Sequence, residues 1–118
     1  MPSFRYSTLA KVVLRMGQVG VDLRTDDAVQ TDAVNDCIDQ ASNDAEEHFA
    51  QCYTLSDLQT NTFVSDGVTD IAVYYLCFRR MNIPNEGAAA GYEKAIQSFN
   101  RVRVGASRIP GVTRLAGA

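Results

Sequence analysis

The chain has 118 residues and a mass of 12.9 kDa, the size of one domain. Hydrophobic residues make up 46% and charged residues 21%, which excludes general disorder. No window approaches 18 unbroken apolar residues, so no membrane span is expected, and the opening MPSFRYSTLAKVVLRMG has no signal-peptide pattern. Cys37, Cys52 and Cys77 are an odd, widely spaced set, as expected of reduced thiols in a cytosolic setting.

The spacing predicts an all-α fold, a compact bundle of about four helices. Ser7 or Thr8 can cap a short first helix, in which Leu9, Val12, Val13 and Met16 share one face. Gly17 is a natural stop, and residues 17–26 read as a connector. A long second helix follows, with Thr25, Asp26 or Asp27 as its cap. Val34, Ile38, Ala41, Ala45, Phe49 and Cys52 form its apolar stripe. Tyr53-Thr54-Leu55 ends it, and LSDLQTNT reads as a loop.

A third helix is expected from near Thr62 to Met81. Its segment 71–78, IAVYYLCF, is apolar all round, so it must be buried inside the domain or against another subunit. A buried strand competes for this segment, but the polar run before it and Arg79-Arg80 after it favour a helix. Ile83-Pro84-Asn85 breaks the chain, and Asn85 can cap the next helix. The fourth helix runs from Glu86 to about Val102, with Tyr92, Ile96 and Phe99 on one face. Gly91 is the candidate for a close helix–helix approach. The tail VGASRIPGVTRLAGA lacks helical periodicity and is expected to be an extended arm, held by a neighbouring subunit. The division is a helical domain over 1–104 and an arm over 105–118.

Net charge is −3, but it is a cancellation. Residues 1–21 carry Arg5, Lys11 and Arg15 and no acid. Residues 22–70 carry twelve acids and only Arg24. Residues 71–118 carry seven bases against Glu86 and Glu93. An acidic middle between basic ends can set up opposed surface fields.

Chemical motifs are sparse. There is no Gly-rich phosphate loop, HExxH or CxxC. Asp44, His48 and Cys52 are zinc-ligand types at i, i+4, i+8, but they border the apolar stripe. A partly buried histidine with a satisfied nitrogen is the plain reading. No nucleophile–base–orienter set appears, so no enzyme, cofactor or metal is expected. Arg101, Arg103, Arg108 and Arg114 form a basic strip, but no recognition helix accompanies it.

Four motifs in order resemble a known family. Tyr6-Ser7-Thr8-Leu9 with Arg15-Met16-Gly17 resembles the "Y-x-T-L … R-F-G" opening of tailed-phage head–tail adaptors of the Mu-like Gp36 group. Tyr53-Thr54-Leu55 is similar to the family's "R-Y-T-L-P", with Cys52 for the arginine and Ser56 for the proline. Asp70-Ile71-Ala72-Val73-Tyr74-Tyr75-Leu76 resembles "D-I-A-x-Y-x-L", and Tyr92-Glu93-Lys94-Ala95 resembles "Y-E-x-A". The resemblance covers roughly residues 6–105, and the tail beyond Gly105 matches nothing in it.

The resemblance implies a virion protein of the phage neck, assembled in the host cytoplasm. It implies a homo-oligomeric ring of about twelve copies between portal and tail, meeting a stopper or tail-terminator protein. Double-stranded DNA would pass through it without specific binding. On this reading Asp32, Asp36 and Asp39 face the channel. Arg101, Arg103, Arg108, Ile109, Val112, Arg114 and Leu115 contact the portal or a neighbour, and Val73, Tyr74 and Phe78 pack between subunits. A tail completion or stopper protein is the alternative, followed by a small helical regulator binding DNA or protein.

Overall fold

The computed structural model describes residues 4–17, 21, 30–77 and 86–115. These residues form an all-helical bundle without strands. Helix α1 spans Leu9–Met16, α2 Gln30–Phe49, α3 Thr62–Cys77 and α4 Glu86–Arg103, with a 3-10 turn at Leu55–Leu58 between α2 and α3. The expected caps at Thr25, Asp26, Asp27 and Asn85, the connector beyond Gly17 (Val21 apart), and Phe78 to Met81 lie outside the described residues.

Local signals set the helix ends. The Thr8 side chain accepts from the Lys11 backbone N–H, capping α1, and Gly17 closes it at φ 88°. That angle is costly for any residue with a Cβ. Asn61 caps α3 by accepting from the Val64 N–H. The segment LSDL, expected as loop, folds as the 3-10 turn because Leu58 is buried beneath it.

Helix α2 buries the expected stripe of Val34, Ile38, Ala41, Ala45 and Phe49, widened by Ala33, Cys37 and Ser42. Cys52 is buried too, but in the turn beyond the helix. Helix α3 is the centre of the bundle and packs against α1, α2 and α4. The apolar stretch at its C-terminal end is thereby explained. Val68, Ile71, Ala72, Leu76 and Cys77 are fully covered by the chain's own helices, and Val73 is buried as well. Ile71, Ala72, Val73, Leu76 and Cys77 are therefore buried within the chain itself, while Tyr74 and Tyr75 are half-buried.

The close approach of α3 and α4 lies at Gly67, not at Gly91. A Cβ on Gly67 would stand 2.5 Å from the Phe99 ring, whereas one on Gly91 would meet Asp70 at an ordinary 3.6 Å. Phe99 cannot retreat. Phe49 packs edge-on against it at 4.8 Å between centroids, and His48 and Phe63 close two further sides.

Buried polar groups are paired. The Thr69 hydroxyl donates to Ser65 O, so the Ser7 hydroxyl donates to Thr69 at 2.6 Å. The Tyr6 N–H donates to buried Ser42 Oγ, and its phenol donates to Glu46. Half-buried Tyr75 donates to the Asp44 carboxylate. Burial first, then this hydrogen bond and the Asp44 charge, push the Tyr75 phenol well above its usual value of 10.

Two predictions test this packing. Gly67→Ala should lower unfolding stability by about 2 kcal/mol, because an overpacked core must shift. Gly91→Ala should raise it by up to about 1 kcal/mol through helix propensity. Urea titration of both variants separates them. Tyr75 keeps its proton in the folded state more tightly than in the unfolded one. Its stabilising contribution is therefore complete below pH 10 and declines as pH rises above it. Spectroscopic titration should show tyrosine that stays un-ionised until the helical signal is lost, and Tyr75→Phe should reduce that resistant component by one residue.

Candidate functional site

The charge segregation of the sequence is partly consumed inside the fold. All three cations of the N-terminal segment find carboxylates of the acidic middle. Arg5 makes a two-pronged contact with Asp39, Nε to Oδ1 at 2.6 Å and a terminal nitrogen to Oδ2 at 3.1 Å. Lys11 lies 3.7 Å from Asp66, and Arg15 pairs with Asp70. Residues 5–16 are thus strapped across α2 and α3 by charge as well as by the Tyr6 and Ser7 hydrogen bonds. The Asp39 contact holds the Arg5 guanidinium above its ordinary pKa, helped by the charges of Asp36 and Asp32.

The carboxylates expected at a channel wall are therefore unlike one another. Asp39 is partly buried and carries Arg5 as its counter-ion, while Asp32 and Asp36 are exposed on α2.

The tail folds back on the bundle, and this chain's own core holds its described residues, 105–115. Ile109 is 1% exposed, and its N–H donates to the Tyr53 hydroxyl at 3.2 Å. Asn61 donates to Pro110 O at 2.8 Å, and the Leu115 N–H donates to Cys52 O at 2.8 Å. Arg114 turns back on α4, donating to Val102 O at 2.7 Å and Arg103 O at 3.2 Å. It thus adds a charged donor to two carbonyls at the C-terminus of α4, where positive charge is favourable. The guanidinium also stands 5.9 Å from the Tyr53 ring centroid.

Of the residues expected to contact a portal or neighbour, Ile109, Arg114 and partly buried Val112 are therefore engaged within the chain. Arg101, Arg103 and Arg108 are exposed, and no carboxylate pairs with them among the described residues. Val104 is 72% exposed between them, and Leu115 is 41% exposed. Tyr74 stacks on Tyr92 at 4.1 Å, and Phe78 lies outside the described residues.

Asp44, His48 and Cys52 do not converge on a common point. The Asp44 carboxylate takes Tyr75, His48 Nδ1 lies 2.7 Å from Asp44 O, and Cys52 Sγ donates to Arg103 O. Among the described residues no group of three His, Cys, Asp or Glu side chains is arranged to hold a metal ion.

A groove of about 340 Å³ runs between α3 and α4 beside α1. Phe63, Gly67, Ala95 and Phe99 floor it, and Arg15, Asp66, Asp70 and Lys94 stand at its rim. Three of these rim charges pin α1, Arg15 with Asp70 and Asp66 with Lys11, so the groove is bounded by the strap. Sequence reasoning missed this groove because its floor depends on Gly67, which carries no side-chain signal.

The tail's burial yields a prediction. Ile109→Ala should lower stability by about 3 kcal/mol, the usual cost of opening a cavity in a core. Removing residues 105–118 should likewise shift the urea midpoint downward, since Tyr53 and the end of α4 lose their partners. An unchanged midpoint would show the tail to be energetically separate.

No curated protein matches the chain. The family model described as Bacteriophage Mu, Gp36 matches residues 6–114. The match extends nine residues beyond Gly105, so it takes in the folded-back tail as far as Arg114. The chain belongs to the bacteriophage Mu Gp36 family.

Proposed function

We propose that the chain is a structural virion protein, an adaptor subunit of the neck that forms a ring joining the portal to the tail and leaving a channel for DNA. The observation that carries this reading is the family match across nearly the whole chain, which starts at the N-terminal strap and ends within the tail. The chemistry is in keeping with it. The chain's polar clusters serve to hold helices together, as the ion pairs of Arg5, Lys11 and Arg15 do. A ring repeats one heterologous contact until it closes, and such a contact requires two different surfaces on each subunit. The exposed acids of α2 and the exposed arginines at the end of α4 are two such surfaces. No step in this role calls for a cofactor or a catalytic group.

The portal lies on one side of the ring, and a stopper or tail-terminator protein on the other. Assembly takes place in the host cytoplasm, and the finished ring travels in the virion. Cryo-electron microscopy of the intact particle tests the reading. The expected result is density for this chain in the neck with twelve-fold symmetry. A six-fold ring at the same level would make it a stopper or tail completion protein. Absence of the chain from purified virions would reject a virion role.

A further inference from the structure

The two exposed charged surfaces sit at opposite ends of α2. Cys52, just past the C-terminus of α2, contacts Arg103, so the basic end of α4 and the tail lies beside the C-terminal end of α2. Asp36 and Asp32 lie 13 and 17 residues before Phe49, about 20 and 26 Å along the helix. One end of the bundle thus presents Arg101, Arg103 and Arg108 with exposed Val104. The other presents Asp32 and Asp36. The two ends are well beyond a Debye length apart, so they do not neutralise one another within one chain.

We propose that the basic end of one copy, Arg101, Arg103 and Arg108 around Val104, docks on the Asp32–Asp36 end of a second copy. Charge complementarity selects this occupant. The N-terminal cations already have carboxylate partners within the fold, whereas these three arginines have none among the described residues. Two basic ends repel, as do two acidic ends, so pairing of like surfaces is disfavoured. A contact between unlike ends brings opposite charge together, and repeated head to tail it builds the proposed ring. Val104 supplies apolar surface at the centre of the contact, and the arginines at its margin fix orientation and speed encounter. The contact assigns Asp32 and Asp36 to the seam between copies rather than to a channel wall. This inference rests on the ring reading but names the residues that make the ring.

The experiment uses the full chain and three variants, with sedimentation velocity and native mass spectrometry as readouts. One variant carries Arg101→Glu, Arg103→Glu and Arg108→Glu, the second carries Asp32→Lys and Asp36→Lys, and the third carries all five changes. All five side chains are exposed, and helical circular dichroism verifies that each variant is folded. The expected result is that the native chain forms oligomers that shrink as salt rises. Each partial variant alone should stay monomeric. The two mixed should co-assemble in alternation, and the five-fold variant should assemble again because its ends are exchanged. Partial variants that assemble like the native chain would overturn the contact while leaving the ring reading intact. Monomeric partial variants that fail to co-assemble when mixed would also overturn it. A native chain that remains monomeric at every concentration would overturn it as well, and the symmetry of the particle would then judge the adaptor reading separately.

Discussion

The contact between Phe99 and the bare backbone of Gly67 sets the spacing of the bundle. With no Cβ at Gly67, α4 lies close enough to α3 for the Phe99 ring to reach its backbone. Phe49 of α2, Phe63 of α3 and His48 then gather around the same ring, so three helices share one aromatic centre. Burying the apolar residues of α3 depends on that spacing. A wider separation would expose Val68, Ile71 and Ala72 and would make the apolar helix a liability in an isolated chain.

Charge works in two ways on this scaffold. At the N-terminus it is spent on the fold. Arg5, Lys11 and Arg15 pin a strap whose only helix, α1, has eight residues, too few to persist without tertiary support. At the C-terminus one arginine is treated differently from its neighbours. Arg114 is folded inward onto the carbonyls of Val102 and Arg103, while Arg101, Arg103 and Arg108 project outward. A net charge of −3 conceals this division, because paired and unpaired charges contribute equally to the sum.

The helices were legible because their information is local and periodic. The stripe of α2, the Thr8 cap and the Gly17 stop each depend on residues within a few positions of one another. What could not be read depends on distant partners. Ile109 stands alone among glycine, serine and proline, and only Tyr53, 56 residues earlier, makes it a core residue. Gly67 and Gly91 look equivalent in sequence, and the crossing of α3 and α4 alone distinguishes them. The run 71–78 announces burial but not what covers it. For the same reason the sequence does not show that Val73 and Ile109 are buried, or that Arg114 turns back on the end of α4. Arg101, Arg103 and Arg108 were exposed as their charge requires.

The account's central claim is that the N-terminal cations serve the fold and the C-terminal ones serve a partner. Hydrogen exchange on the free chain and on the chain in the proposed ring tests it most directly. The account predicts that amides of residues 6–16 and Ile109 exchange equally slowly in both states. New protection on assembly should appear at residues 104–108 and at the first turns of α2. New protection centred on residues 6–16, with 104–108 unchanged, would contradict it.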